Sequence, residues 1–203
     1  IQTVFIDEVQ RIPELLNEVQ VNLTSERPLQ FILSGSSARK LKRSHANLLG
    51  GRAALLKLFP FSYIETKSSG FSLNDALTFG MLPPLWNMDK ADRSLFLKSY
   101  IETYIKEEIQ TEALTRNLPG FMRFLTLSAN ENGSLVNFTA LSQDSGVGLH
   151  MIREFYQILE DTLLCVRLDP FSSRMRRLVK HSRYYYIDIG IVNALCNRLP
   201  PMT

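Results

Sequence analysis

No run of apolar residues in this 203-residue chain approaches the roughly 20 positions that a membrane-crossing helix needs, so no membrane partner is expected. Cysteine is nearly absent. Cys165 and Cys196 stand alone, without a C-x-x-C spacing, and read as reduced thiols in or near a core, as in a cytoplasmic protein. His45, His150 and His181 are too dispersed for a metal set, and structural roles are expected for them. Neither charge sign dominates: 23 Lys and Arg face 20 Asp and Glu, and a net charge of +3 is too small to argue for nucleic acid. There is no Gly-Lys dipeptide, so the phosphate-cradling loop G-x-x-x-x-G-K-[ST] is missing from these residues. Neither a signal peptide nor an initiator Met opens the chain, which reads as a fragment.

What is present begins at the first residue. Gln2-Thr3-Val4-Phe5-Ile6 is a β-branched and aromatic run that ends in Asp7-Glu8. A buried parallel strand delivering two carboxylates to its end is how a Walker B strand reads. A Mg²⁺-nucleotide site needs one carboxylate to hold the metal through its water shell and a second group to orient the attacking water. Adjacent side chains diverge at a strand end, so Asp7 takes the metal and Glu8 the water. The alternative is an acid pair favoured by the dipole of the helix that Pro13 opens. Ile12, Leu15, Leu16, Val19 and Leu23 give that helix one apolar face.

Gln30 to Ser34 reads as a second buried strand, ending in Gly35-Ser36-Ser37. Ser34 and Ser36 thus sit at a strand's carboxyl end, where open α/β sheets place ligands. They are candidates to sense a terminal phosphate, or else hydroxyls of an ordinary turn. Arg52 follows the flexible Gly50-Gly51 and could neutralise transition-state charge, or be a solvated surface arginine. Ala53 to Phe59 reads as a third apolar strand.

The remainder is mostly helical. Ser72 or Asn74 caps a helix through Phe79, which Gly80 and Pro83-Pro84 end. A long helix is expected from Asp92 to about Leu114, with Leu97, Ile101, Tyr104, Ile105 and Ile109 on one face, and another starts at Pro119. Phe138–Asp144 and Leu149–Leu163 read as helices around Ser145-Gly146-Val147-Gly148, followed by strands at 164–168 and 183–187. Helix, turn, helix and a two-stranded wing is the order of a winged helix. Its second helix carries Arg153 beside Glu154, Glu160 and Asp161, which is not a basic reading face. The loop is different: Arg174, Arg176, Arg177, Lys180 and Arg183 crowd it, which suits DNA phosphate contact or simply a solvated or docking loop.

With these residues in place, the chain resembles a prokaryotic AAA+-type P-loop ATPase family whose members carry a C-terminal winged helix and a nuclease-like domain. The resemblance rests on Val4-Phe5-Ile6-Asp7-Glu8-Val9-Gln10-Arg11-Ile12-Pro13 as Walker B, and Phe31-Ile32-Leu33-Ser34-Gly35-Ser36-Ser37-Ala38 as the sensor-1 strand. Leu48-Leu49-Gly50-Gly51-Arg52-Ala53, Phe79-Gly80-Met81-Leu82-Pro83 and Tyr184-Tyr185-Tyr186-Ile187-Asp188-Ile189-Gly190 extend it in order along the chain. It implies ATP and Mg²⁺ as cofactors, with hydrolysis coupled to an unknown task in the full-length protein and none in these residues alone. The alternative is a nucleic-acid or protein-interaction module with a vestigial ATPase half.

The expected fold class is α/β: a partial P-loop NTPase, AAA+-like parallel sheet, then a helical linker and a winged-helix domain. The divisions fall at 1–68, 69–117, 118–190 and 191–203, the last the start of a truncated segment. In an AAA+ sheet the phosphate-loop strand lies between the sensor-1 strand and the last strand. Without it, Ala53 to Phe59 faces a gap with unpaired ladder groups, and self-association is one way to close it.

Overall fold

The computed structural model describes residues 2–24, 29–35, 52–105, 117–170 and 182–201. The chain forms two compact units, one of residues 1–58 with 161–163 and one of residues 59–160 with 164–203.

In the first unit, β1 (Gln2–Ile6) and β2 (Leu29–Leu33) pair in parallel, Gln2 opposite Leu29 and Ile6 opposite Leu33. A short 3₁₀ turn (Val9–Arg11) and α1 (Leu15–Thr24) connect them. The crossover is helical because Leu15, Leu16, Val19 and Leu23 recur at a helical period. Leu16 and Val19 are buried with Val9, and Ile6, Phe31 and Leu33 pack against them. Only that face of the sheet is covered. Phe5 and Ile32, cross-strand partners on the opposite face, stay 63% and 49% exposed. The strands are therefore half-buried rather than buried on both sides, as the apolar runs suggested.

The expected third strand is not one. Ala53 to Phe59 belongs to no sheet among the described residues, and Leu58 is 94% exposed. A strand exists only through its ladder, and neither described sheet offers this segment a neighbour. Apolar composition alone does not supply a ladder partner.

The second unit is a helical layer closed by a hairpin. It contains α2 (Tyr63–Thr66), α3 (Leu73–Phe79), a 3₁₀ segment (Pro83–Asn87), α4 (Lys90–Ser99), α5 (Leu118–Asn130), α6 (Phe138–Ser145), α7 (Leu149–Asp161), β3 (Cys165–Leu168), β4 (Arg183–Tyr186) and α8 (Ile189–Leu195). Side-chain caps set the starts: the hydroxyl of Ser72 accepts from Asp75 N, and the side chains of Asp89, Asn117 and Asn137 begin α4, α5 and α6. The long helix expected over 92–114 starts earlier, at Lys90. It widens to π geometry over Tyr100–Ile105, and its continuation past 105 lies outside the described residues. Gly146, at φ 66°, ends α6 in the left-handed conformation that favours glycine, and α7 follows.

Burial is deepest where α5 meets α7. Phe121 and Phe155 meet edge-on at 5.0 Å, and Phe124 and Tyr156 at 4.9 Å, all four with almost no exposure. β3 and β4 run antiparallel, Cys165 opposite Tyr186, and place Tyr184 and Tyr186 against this core. Deep inside, the Tyr186 hydroxyl shares a 2.7 Å hydrogen bond with Ser128 Oγ, which donates onward to Leu125 O. Burial pushes the Cys165 thiol well up, which holds it in the inert neutral form. Helix α8 spans positions 190 and 191 without a break and buries Ile191, Val192 and Leu195 in the same core. No helix among the described residues is long and apolar enough to cross a membrane.

Candidate functional site

The ends of β1 and β2 bring together three of the residues singled out by sequence. The parallel ladder runs one step past the strands, since Ser34 N donates to Ile6 O at 2.9 Å. The chain leaving β1 then folds back over β2, with Val9 N donating to Ser34 O at 3.1 Å. These bonds place Asp7 beside Ser34. The Ser34 hydroxyl donates to Asp7 Oδ1 in a short hydrogen bond, and Glu8 N donates to the same carboxylate oxygen at 3.1 Å. Glu8 N also lies 3.3 Å from Ser34 Oγ as a donor.

The turn that does this is strained. Glu8 has φ 50° and ψ 44°, the left-handed region that costs a side-chain-bearing residue about 1–2 kcal/mol. Bending there aims the Glu8 amide inward at Asp7 and Ser34 while the acid pair stays at the strand end. Asp7 is exposed and Glu8 and Ser34 are half-buried, so the cluster opens outward from the carboxyl edge of the sheet. Chemically it presents a carboxylate and a hydroxyl, already held to each other, on the edge where parallel sheets bind ligands.

The other candidates are not gathered there. Arg52 is exposed in a turn and forms no ion pair among the described residues. Ser36, Arg174, Arg176, Arg177 and Lys180 lie outside the described residues. Arg183 starts β4, exposed, and its guanidinium Nη1 donates to Gly133 O at 2.8 Å, which ties it to the turn before α6.

A second constellation joins two of the segments that carried the resemblance, and composition and spacing gave no sign of it. Asp188, only 4% exposed, caps α8: its Oδ1 accepts from Gly190 N at 2.8 Å and Ile191 N at 3.3 Å. Its Oδ2 accepts from Met81 N at 2.6 Å, 107 residues away, and Leu82 N also donates to the carboxylate. Burial raises the carboxyl above its ordinary range, against the pull of these backbone donors.

The two glycines of these segments have no room for a side chain. A Cβ on Gly80, at φ 79°, would stand 1.9 Å from Asp188 Oδ1, and one on Gly190 would stand 1.9 Å from Phe79 O. Asn193 completes the contact by donating from Nδ2 to Leu77 O and Thr78 O, both at 2.9 Å. The sequence signal was there in the Gly80 and Asp188-x-Gly190 patterns, but nothing in spacing says that they meet.

Parallel strands, a crossover helix and an acid–hydroxyl pair at their carboxyl ends make up the described part of the first unit. Residues 1–67 match the family described as AAA domain, which supports an AAA-like, P-loop domain fragment there. The chain belongs to the family described as a domain of unknown function, DUF8612, which matches residues 70–201. An uncharacterized protein of Mycobacterium tuberculosis is 26% identical over 194 residues, covering 94% of this chain and 43% of that protein. Another uncharacterized protein, of Haemophilus influenzae, is 22% identical over 205 residues, covering 92% of this chain and 50% of that protein. The chain thus spans half the length, or less, of these curated relatives. No solved structure matches it.

Proposed function

We propose that the first unit supplies the metal and water-orienting side of an ATPase site, with hydrolysis coupled in the full-length protein to an unknown task. The observation that carries this reading is the junction of Asp7, Glu8 and Ser34 at the carboxyl ends of two parallel strands. The residues present fit one side of a Mg²⁺-nucleotide. A carboxylate with its second oxygen at the exposed edge is a hard oxygen donor of the kind Mg²⁺ takes, directly or through its waters. Bound there, the metal would neutralise charge on the phosphates. Asp7 is assigned to the metal, Glu8 to orienting water, and Ser34, with Ser36, to the terminal phosphate. Arg52 is the candidate for charge neutralisation. The backbone cradle and lysine of a phosphate loop are not among these 203 residues, so the proposed site requires them from elsewhere.

The test is Glu8→Gln in a longer polypeptide that contains these residues and a phosphate loop. Mg-ATP binding should persist while turnover falls by a factor of about 100 or more, the usual range for loss of a positioned base. Unchanged turnover would remove Glu8 from the chemistry.

A second reading rests on the order α6, a tight turn at Gly146, α7 and the β3–β4 hairpin, which is that of a winged helix. In it the basic run Arg174, Arg176, Arg177, Lys180 and Arg183 contacts DNA phosphates. Charge reversal at Arg176 and Arg177 should then abolish salt-sensitive DNA binding and leave ATP turnover intact. Retained binding would dismiss this second reading.

A further inference from the structure

The Asp188 junction does more than close a helix pair. Met81 has both its backbone groups engaged there: its N–H donates to Asp188 Oδ2 at 2.6 Å, and its carbonyl accepts from Phe61 N at 2.9 Å. The bonds lie in series, from the buried carboxylate through one residue to a short strap that bends at Pro60, Phe59-Pro60-Phe61, at which the chain enters the second unit. The strap has few other holds. The Phe61 ring meets Trp86 edge-on at 6.0 Å, and Phe59 is about half exposed. Strap, junction and hairpin together line a cavity of about 370 Å³, whose walls include Phe59, Phe61, Met81, Val166, Tyr185 and Asp188.

We propose that Asp188 is the latch of this strap: its bond to Met81 holds Phe59–Phe61 in place, and with it one wall of the cavity. The inference is independent of the nucleotide reading. A lone backbone bond to such a segment is a weak hold in water, about 1 kcal/mol net. Its acceptor, however, is the carbonyl of the Met81–Leu82 peptide. That peptide donates through Leu82 N, and the preceding one through Met81 N, to the same desolvated carboxylate, and bonds to charged groups are the stronger class. Release the carboxylate and both peptides can turn, taking the strap's acceptor with them. Asn193 anchors the same helix pair without touching Met81, so helix docking and strap retention are separable.

Asp188→Asn cuts the latch selectively. Asparagine is as good a helix cap as aspartate, so its oxygen can keep the Gly190 and Ile191 donors. Its NH₂ then faces Met81 N–H, donor against donor. Trp86 is the sole tryptophan and reports the strap through Phe61. In the 203-residue chain, Asp188→Asn should speed hydrogen exchange at Phe61 N–H at least tenfold and shift Trp86 emission to the red. Asn193→Ala should lower stability and leave both readouts unmoved.

A folded Asp188→Asn protein with unchanged Phe61 exchange and Trp86 emission would overturn the proposal, as would Asn193→Ala moving them equally. If Asp188→Asn does not fold, the unmodified chain decides. Phe61 and Met81 amides exchanging within tenfold of one another support a shared opening. Phe61 exchanging faster by more than that shows a strap that opens without its latch.

Discussion

Glycine at position 8 should leave the first unit more stable than alanine there, and by an amount the backbone sets. Glu8 sits at φ 50°, ψ 44°. A residue with a Cβ pays about 1–2 kcal/mol there, and glycine does not. Glycine in turn makes the unfolded chain more flexible, at a cost of about 0.4–1 kcal/mol. Loss of the glutamate side chain would confuse the comparison, so the reference is Glu8→Ala, which lacks it too. The difference leaves Glu8→Gly more stable than Glu8→Ala by roughly 0.5–1 kcal/mol, a factor of about 2–5 in the opening equilibrium. The assay is hydrogen exchange at Ser34 N–H, bonded to Ile6 O across the strand ends, and at the amides of β2. Their protection should rise by that factor in the glycine variant. Equal or lower protection would refute the strain argument. Confirmation would mean that the turn carries a non-glycine residue at a cost in stability, as strained functional positions do.

Other perturbations read the second unit. Tyr186→Phe removes a buried hydroxyl from Ser128 while Ser128 keeps Leu125 O, so denaturation should show a loss of about 1–2 kcal/mol. Phe124→Ala opens a cavity among Phe121, Phe155 and Tyr156 and should cost about 3–5 kcal/mol in the same assay. Asp188 makes stability depend on acid. Its folded pKa is raised, so the folded state binds the proton more tightly, and that contribution is complete below the unfolded carboxyl value and lost as pH rises through the folded one. The stability of the unmodified chain relative to Asp188→Asn should therefore increase as pH falls through that window, and a flat difference would contradict the assigned direction.

Much of the fold was legible because local chemistry and tertiary context agreed. Ser72, Pro119 and Gly146 marked helix limits that the structure keeps to within a residue or two, and the apolar spacing of the helix that begins at Lys90 named Leu97 and Ile101, both buried. The closeness of the acid pair and Ser34 was legible because a strand's end fixes where its last side chains go. What failed depended on partners. Ala53 to Phe59 had a strand's composition and found no ladder. The strands β1 and β2 had the composition of two-sided burial and have one covered face. The Asp188 junction was hidden for the same reason: it joins residues more than 100 positions apart, and no local period encodes which glycine a buried carboxylate will meet.

If the Asp7–Glu8–Ser34 junction is one side of an ATPase site, nucleotide chemistry must depend on it. Mg-ATP binding and turnover, measured on residues 1–203 beside a longer polypeptide with a phosphate loop, decide this. The expected result is turnover only in the longer polypeptide, lost in Glu8→Gln. Absence of nucleotide binding in both, or turnover indifferent to Asp7 and Glu8, would contradict it.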